Sequence, residues 1–383
     1  MYRSICYLLL AGLFLPLVTV GQQPAPAPPC PVVVNINGQQ LTELVALAKF
    51  VEAQHQPKIT RYRVSGPNQT QPARSTQDQP APSEEEAVMF AAEKRKTFDK
   101  TYKVTTADLL SLDNRFGRIH VNTWPRNEIQ VKVEIITRAS TDSKAQEILD
   151  LISVKDTREG KSIAIKTDIA PMKIVQSNNK SFEINYTVHM PAENALKLKQ
   201  TFGDAYVSAL KGKADLNVKY GSLKTGNLSN VGNSVKVAYG AGNCGFINQG
   251  NVEVSYGNMQ IEGTNGLQGF SKFSDFKLGK LSDELNMEVK YGTFRVDNIN
   301  KDIRKINLDI GFTPVVLNFE NKAAFNFDVN VKFGSFNYDK SLVNITSLVK
   351  DHTSAEYKGR FGGTSSKGLI SINSKFGDVQ FSE

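Results

Sequence analysis

From residue 97 onward, apolar and polar positions alternate with a period of two, the pattern of strands that bury one face. KTYKV, LLSLDNRFGRIHVNTW and EIQVKVEIITRA open the series. A polar stretch at 143–152 (SKAQEILDLI) has helical spacing and interrupts it, and strands resume at SIAIKTDI and FEINYTVHM. Upstream the pattern differs. Ser83 and Glu86 stand in capping-box spacing, with Glu84 to Glu86 at the positive end of a helix dipole, so a capping helix is predicted over 83–96. Residues 22–82 form a Pro/Gln-rich region whose flanks, QQPAPAPPCPV and GPNQTQPARSTQDQPAP, read as extended linkers. Between them lies a short island, a strand at 33–37 and a helix at 41–53, too small to build its own core.

Within the strand region an aromatic-Gly pair recurs at Phe202-Gly203, Tyr220-Gly221, Tyr239-Gly240, Tyr256-Gly257, Tyr291-Gly292, Phe333-Gly334, Phe361-Gly362 and Phe376-Gly377, with an earlier copy at Phe116-Gly117. Phe273-Ser274 fills the gap before Tyr291, and a degenerate unit stands at Ile310-Gly311. The central spacing is 17–19 residues. Before each pair, apolar residues keep step with the aromatic, as in Val252, Val254, Tyr256. After it they resume one residue out of phase, as in Met259 and Ile261, so the chain bends there. Glycine is expected to supply the conformation of that corner, and asparagines such as Asn227, Asn230, Asn298 and Asn300 to satisfy backbone groups at turns.

Two architectures bury one face with this period: a parallel β-solenoid with one coil per repeat, or an antiparallel meander with one hairpin per repeat. The solenoid is favoured, and its aromatics would form an interior ladder at a coil spacing of ~4.8 Å. The expected fold is therefore all-β: a parallel β-solenoid (β-helix) of about 17–19 residues per coil over 97–383, preceded by a small helical, linker-rich N-terminal region.

The start of the chain carries Arg3 and an apolar run at 6–20, too short for a spanning helix, with Thr19 and Gly21 before Gln22. Residues 1–21 read as a secretory signal peptide, and no later run is long and apolar enough to span a membrane. The expected location is periplasmic or at the cell surface. Neither Cys6 nor Cys30 sits in a lipobox, and pairing of Cys30 with Cys244 is left open.

The chain's order of features resembles the bacterial putative-adhesin β-solenoid family. The resemblance rests on LDNRFGRIHVNTWPRNEIQVKVEI, KAQEILDLISV, INYTVHMPAENALKLKQTFGDAYV and the aromatic-Gly repeats, and covers about 97–383. It implies an exported β-solenoid without an established catalytic residue set, so it transfers no site. The Pro/Gln-rich region lies outside it.

Composition adds exclusions. The 383 residues are 40% hydrophobic, enough for a core, while three cysteines and one tryptophan exclude a disulfide scaffold. Net charge is +8 but diffuse, which does not suit nucleic-acid binding. His55, His120, His189 and His352 lack metal-site spacing, Gly160-Lys161-Ser162 lacks the rest of a P-loop, no nucleophile elbow occurs, and the dinucleotide fingerprint with its strand-helix context is absent. No cofactor is expected. Asp204, Asp275 and Asp378 recur near the corner without a calcium nonapeptide or a cleft.

One row of charge is more suggestive. The residue before the aromatic is Arg115, Lys219, Lys272, Lys290, Lys332, Arg360 or Lys375 in seven copies and Ala238, Ser255 or Asp309 in others. Like charges ~5 Å apart in water repel by only ~0.8 kcal/mol, so such a row stands either as a solubilising face or as a site for acidic glycan or an anionic envelope surface. The leading function is a non-enzymatic exported β-solenoid acting in adhesion, surface binding or envelope organisation. The alternatives are a polysaccharide-active β-helix enzyme and an envelope-stress signalling accessory domain that docks through the N-terminal island. Finally, FGDVQFSE ends inside a repeat without a cap, which predicts an open edge and end-to-end self-association.

Overall fold

The computed structural model describes residues 91–171, 180–363 and 368–383, all within the second of the chain's two units, Ser65–Glu383. The signal, the linkers, the island, Cys30 and most of the expected capping helix lie outside the described residues.

The described chain is nearly all β-structure. Its strands are β1 (Ala92–Lys103), β2 (Leu109–Arg115), β3 (Ile119–Thr123), β4 (Glu128–Ala139), β5 (Ile152–Glu159), β6 (Ser162–Ile169) and β7 (Lys180–Met190). There follow β8 (Ala195–Thr201), β9 (Ala205–Val207), β10 (Ala214–Lys219), β11 (Ser222–Thr225), β12 (Asn233–Ala238) and the long run β13 (Ala241–Ile299). The last are β14 (Lys305–Gly311), β15 (Val315–Phe319), β16 (Phe325–Lys332), β17 (Phe336–Asn337), β18 (Val343–Lys350), β19 (Ser354–Phe361), β20 (Gly368–Lys375) and β21 (Val379–Ser382). The expected helical interruption is α1 (Asp142–Asp150), whose N-cap Thr141 accepts from the Lys144 amide at 3.4 Å.

Two series of pairings run through the sheet. One is β5–β6–β2–β8–β10–β12–β13–β14–β20–β16–β19–β18, parallel from β6 to β16 and antiparallel at each end. The other is β1–β4–β7–β3–β9–β11–β13–β15–β21–β17, antiparallel only among β1, β4 and β7. In the central part Ala214 lies beside Leu196, Asp215 beside Ser234, Asn233 beside Gly250 and Glu284 beside Lys305, offsets of 18, 19, 17 and 21 residues. The period read from the aromatics is thus a pairing period.

The phase rule holds for the core. Val252, Val254, Met259, Ile261, Met287, Val289, Phe294, Val296, Val329 and Val331 are all buried. Asn230 Oδ1 accepts from Gly232 N and Asn300 Oδ1 from Asp302 N at turns, as expected, while Asn227 Oδ1 accepts from Phe246 N within β13, each at 2.9 Å. Cys244 is buried and free.

Three expectations need correction. Residues 92–96 are strand: β1 pairs residue for residue with β4, from Ala92 beside Ala139 to Lys103 beside Glu128, and this ladder overrides the local helical preference of EKRK. Second, Phe361 is no repeat corner. It ends an antiparallel hairpin strand, is fully buried, and stacks on Phe325 at 4.8 Å. Third, the segment that ends in FGDVQFSE is not an open edge. β20 is paired on both sides, by β14 and β16, and β21 by β15 and β17.

Candidate functional site: an external aromatic ridge and its lysine border

At each corner the chain arrives on an alternating strand, so the residue two before the aromatic points inward and the one just before it points outward. Val218, Val237, Val254 and Val289 are the buried members. The aromatic then takes a left-handed conformation. Phe116, Phe202, Tyr220, Tyr239, Tyr256, Phe273, Tyr291, Phe312, Phe333 and Phe376 have φ between 52° and 64°. That twist turns the side chain out of the core, and Tyr239, Tyr256, Phe273, Tyr291, Phe312, Phe333 and Phe376 are 44–57% exposed. The ladder is therefore external, against the expectation of an interior one. In the degenerate unit Phe312, after Gly311, supplies the ring.

Gly117 (φ 115°) and Gly203 (φ 150°) supply the positive φ expected of the glycine after the aromatic, but the following glycines have a different task. A Cβ on Gly221 would lie 2.1 Å from the Gly203 carbonyl oxygen, and one on Gly240 or Gly257 would lie 1.9 Å from the carbonyl oxygen of Gly221 or Gly240. Glycine is needed there because successive corners approach one another.

The rings stack in the order Phe116, Phe202, Tyr220, Tyr239, Tyr256, Phe273, Tyr291, Phe312, Phe376, Phe333, with centroids 4.6–5.2 Å apart and planes within 11° of parallel. A left-handed non-glycine residue costs ~1–2 kcal/mol, and a well-placed ring pair returns ~0.5–1.5 kcal/mol. Stacking thus roughly offsets the strain and fixes the direction of the rings. Because each inner ring covers its neighbours' faces, the ridge presents ring edges, and sugar rings cannot lie flat on its interior. Burial and the flanking Tyr220 and Tyr256 raise the Tyr239 phenol above its ordinary value.

The lysine border is only partly continuous. Lys290 lies beside Gly311, Gly311 beside Lys375, and Lys375 beside Lys332, so these three cations and Lys272 share one stretch of the border. Glu288 Oε1 accepts from Lys290 Nζ at 2.6 Å and lies 3.2 Å from Lys272 Nζ. Those two ammonium groups, Lys290 first, hold the Glu288 carboxyl below the usual range. Lys219 stands apart, between Thr201 and Ala238, and Arg115 lies 5.9 Å from the centre of the Phe116 ring. Arg360 is off the row altogether, opposite Asn326 in the antiparallel hairpin, for the reason that removes Phe361 from the ladder.

The corner carboxylates are occupied in joining neighbouring corners. Asp204 Oδ1 accepts from Ser222 N at 2.8 Å, Asp275 Oδ1 from Thr293 Oγ1 at 2.7 Å, and Asp378 Oδ1 from Ser335 N at 2.8 Å and its Oγ at 2.7 Å. Gly160 and Lys161 form the turn of the β5–β6 hairpin. His120 packs on Tyr206 at 4.4 Å, His189 stacks on Trp124 at 5.2 Å, and His352 is exposed beside Asp351. Among the described residues no three His, Cys, Asp or Glu side chains assemble a metal site, and no helix is long and apolar enough to cross a membrane. Sequence reasoning missed Glu288, although its position two residues before Lys290 places it on the same outward face.

No family model and no curated protein matches the chain. Solved structures that resemble it include a "putative cell adhesion protein" from Clostridium sporogenes, at 14% identity over 76% of this chain and 99% of the other, with a TM-score of 0.18. A "putative adhesin" from Bacteroides fragilis matches at 10% identity over 75% and 97%, TM-score 0.31. A "putative lipid binding protein" from Parabacteroides distasonis matches at 11% over 75% and 97%, TM-score 0.26. Superpositions this loose carry no inference about the fold or function of this chain.

Proposed function

We propose that the chain is a non-enzymatic, exported β-solenoid that binds an extended acidic glycan along the lysine border of its aromatic ridge. The solenoid reading is supported by parallel neighbours at offsets of 17–21 residues and by ring spacings of 4.6–5.2 Å, near the ~4.8 Å between paired strands. Export rests on residues 1–21 as the signal peptide.

The observation that carries the binding reading is the juxtaposition of Lys272, Lys290, Lys375 and Lys332 beside an apolar ridge. A linear array at strand spacing, interrupted once at Gly311, suits a linear polyanion, whose charges it meets along its length. The border supplies charge, and the ring edges supply apolar contact without selecting a sugar face.

The test is adsorption to an immobilised acidic polysaccharide, with a neutral polysaccharide and anionic-lipid vesicles as parallel arms. Salt-sensitive retention on the acidic polysaccharide, lost when Lys272, Lys290 and Lys332 are changed to Glu, is expected. Unchanged adsorption after the triple reversal refutes the reading, and retention on the vesicles alone reassigns the face to headgroups.

A further inference from the structure

The terminal strand edges of the described body are not alike. At one end the edges are β5 and β1, each paired on one side only. They are fastened to each other: Asp156 Oδ2 on β5 accepts from Lys100 Nζ and, at 2.9 Å, from Tyr102 Oη, both on β1, while Arg158 Nη1 donates to the Lys103 carbonyl at 3.1 Å. Both strands are dense in charge, with Lys94, Arg95, Lys96 and Lys100 on β1 and Lys155, Asp156, Arg158 and Glu159 on β5. Charged, mutually tied edges resist the addition of another strand.

The opposite end lacks these devices. β16 is followed by the antiparallel hairpin β19–β18, and β18 pairs with β19 alone among the described residues. Its sequence is VNITSLVK, with one charge, at Lys350. Leu348 is 45% exposed and Val349 62%. An eight-residue β-prone edge with unpaired backbone groups and exposed aliphatic side chains is a template for strand addition.

We infer that β18 is a self-association edge that pairs antiparallel with β18 of a second copy. The occupant follows from the strand's self-complementarity. Antiparallel pairing about a two-fold axis between Thr346 and Ser347 sets Ile345 opposite Leu348 twice, and Lys350 opposite Val343, so that no lysine faces a lysine. The register shift between Ile345 and Ser347 bends the strand at that axis, so both copies bend alike. Because the β1 and β5 edges are charged and tied together, and the remaining edge among the described residues, β17, is only two residues long, association stops at two chains. The expected end-to-end contact thus moves from the last residues of the chain to β18, and it does not depend on glycan binding.

Sedimentation velocity of the full chain from residue 22, over a wide range of protein concentration, tests the inference. The mass is expected to rise from one chain to two and no further, with a dissociation constant in the micromolar range or weaker, as suits a small interface. Val349→Lys is expected to hold the mass at one chain with unchanged circular dichroism and thermal melting. Leu348→Lys is the second variant should the first not fold. A one-chain mass at every concentration, a dimer retained in the folded variants, or growth beyond two chains would overturn it.

Discussion

The rings of Tyr239 and Tyr256 lie 4.9 Å apart and 1° from parallel, each on a left-handed backbone and each about half exposed. The expense of the backbone and the return from the stack therefore sit in the same residue and can be separated by substitution. Tyr256→Ala loses both ring neighbours and keeps the strain, whereas Tyr256→Gly loses the rings and relieves the strain. The glycine variant is expected to be the more stable of the two by about 1 kcal/mol, with both below the parent, in urea unfolding. The reverse order would remove backbone strain from the account of the corner.

Gly257→Ala places a methyl group 1.9 Å from the Gly240 carbonyl oxygen, where only backbone movement relieves the clash. It is expected to cost ~3 kcal/mol or more, within the range of severe core mutations. Gly363→Ala, whose Cβ meets nothing within 4 Å, is expected to be neutral within about 0.5 kcal/mol. Equal thermal stabilities of the two variants would contradict the close approach of corners.

Much of this arrangement is legible in the sequence, and the part that is not has a physical cause. Strict alternation around Tyr256 identifies Val252, Val254, Met259 and Ile261 as core, and all four are buried. The direction of the Tyr256 ring is hidden, because a period-two pattern assigns its residue to the inside and only a positive φ sends it outward. β1 shows a second limit: Glu93 to Lys96 has helical propensity, and the partner that makes it a strand, β4, lies some forty residues away. Lys272 and Lys290 were legible as one row, but Arg360 was not separable from them, since the hairpin that displaces it is a tertiary feature.

Glu288 holds Lys272 and Lys290 in ion pairs. Replacing it with Gln frees two cations without altering the strand. Glu288→Gln is expected to adsorb more strongly to the acidic polysaccharide, with a steeper loss of adsorption on adding salt, as two more cations become available. Weaker or unchanged adsorption would separate these lysines from the binding face.

Acid sensitivity should be traceable to Asp108. Its buried carboxylate accepts from Thr105 N at 2.7 Å and Thr105 Oγ1 at 2.8 Å, with Arg158 Nη2 at 3.5 Å, and these groups, the Thr105 amide first, hold it below the usual range. A carboxyl depressed in the folded state stabilises fully above its unfolded value of ~3.9 and loses that contribution as pH falls through the folded value. The parent's melting temperature is therefore expected to fall more steeply than that of Asp108→Asn on acidification below about pH 4. Parallel slopes would assign the acid limb elsewhere.

Burial pushes the Cys244 thiol up to about 11. Alkylation of this thiol at neutral pH is expected only when the surrounding strands open, so its rate should follow the unfolding equilibrium across a urea series. Rapid labelling in the absence of urea would show that this part of the core is accessible in the folded chain.

The insertion of β20 between β14 and β16 has a consequence for how the protein comes into being. A ribosome delivers β14 and β16 well before β20, so both must wait with an edge exposed until the last strands emerge. If they met first, the gap would be closed with the wrong neighbour. Completion of this end therefore depends on the order of synthesis, and a chain held unfolded until it is wholly released from the ribosome would avoid the mispaired state. β20, made after both of its neighbours, joins the two halves of the row.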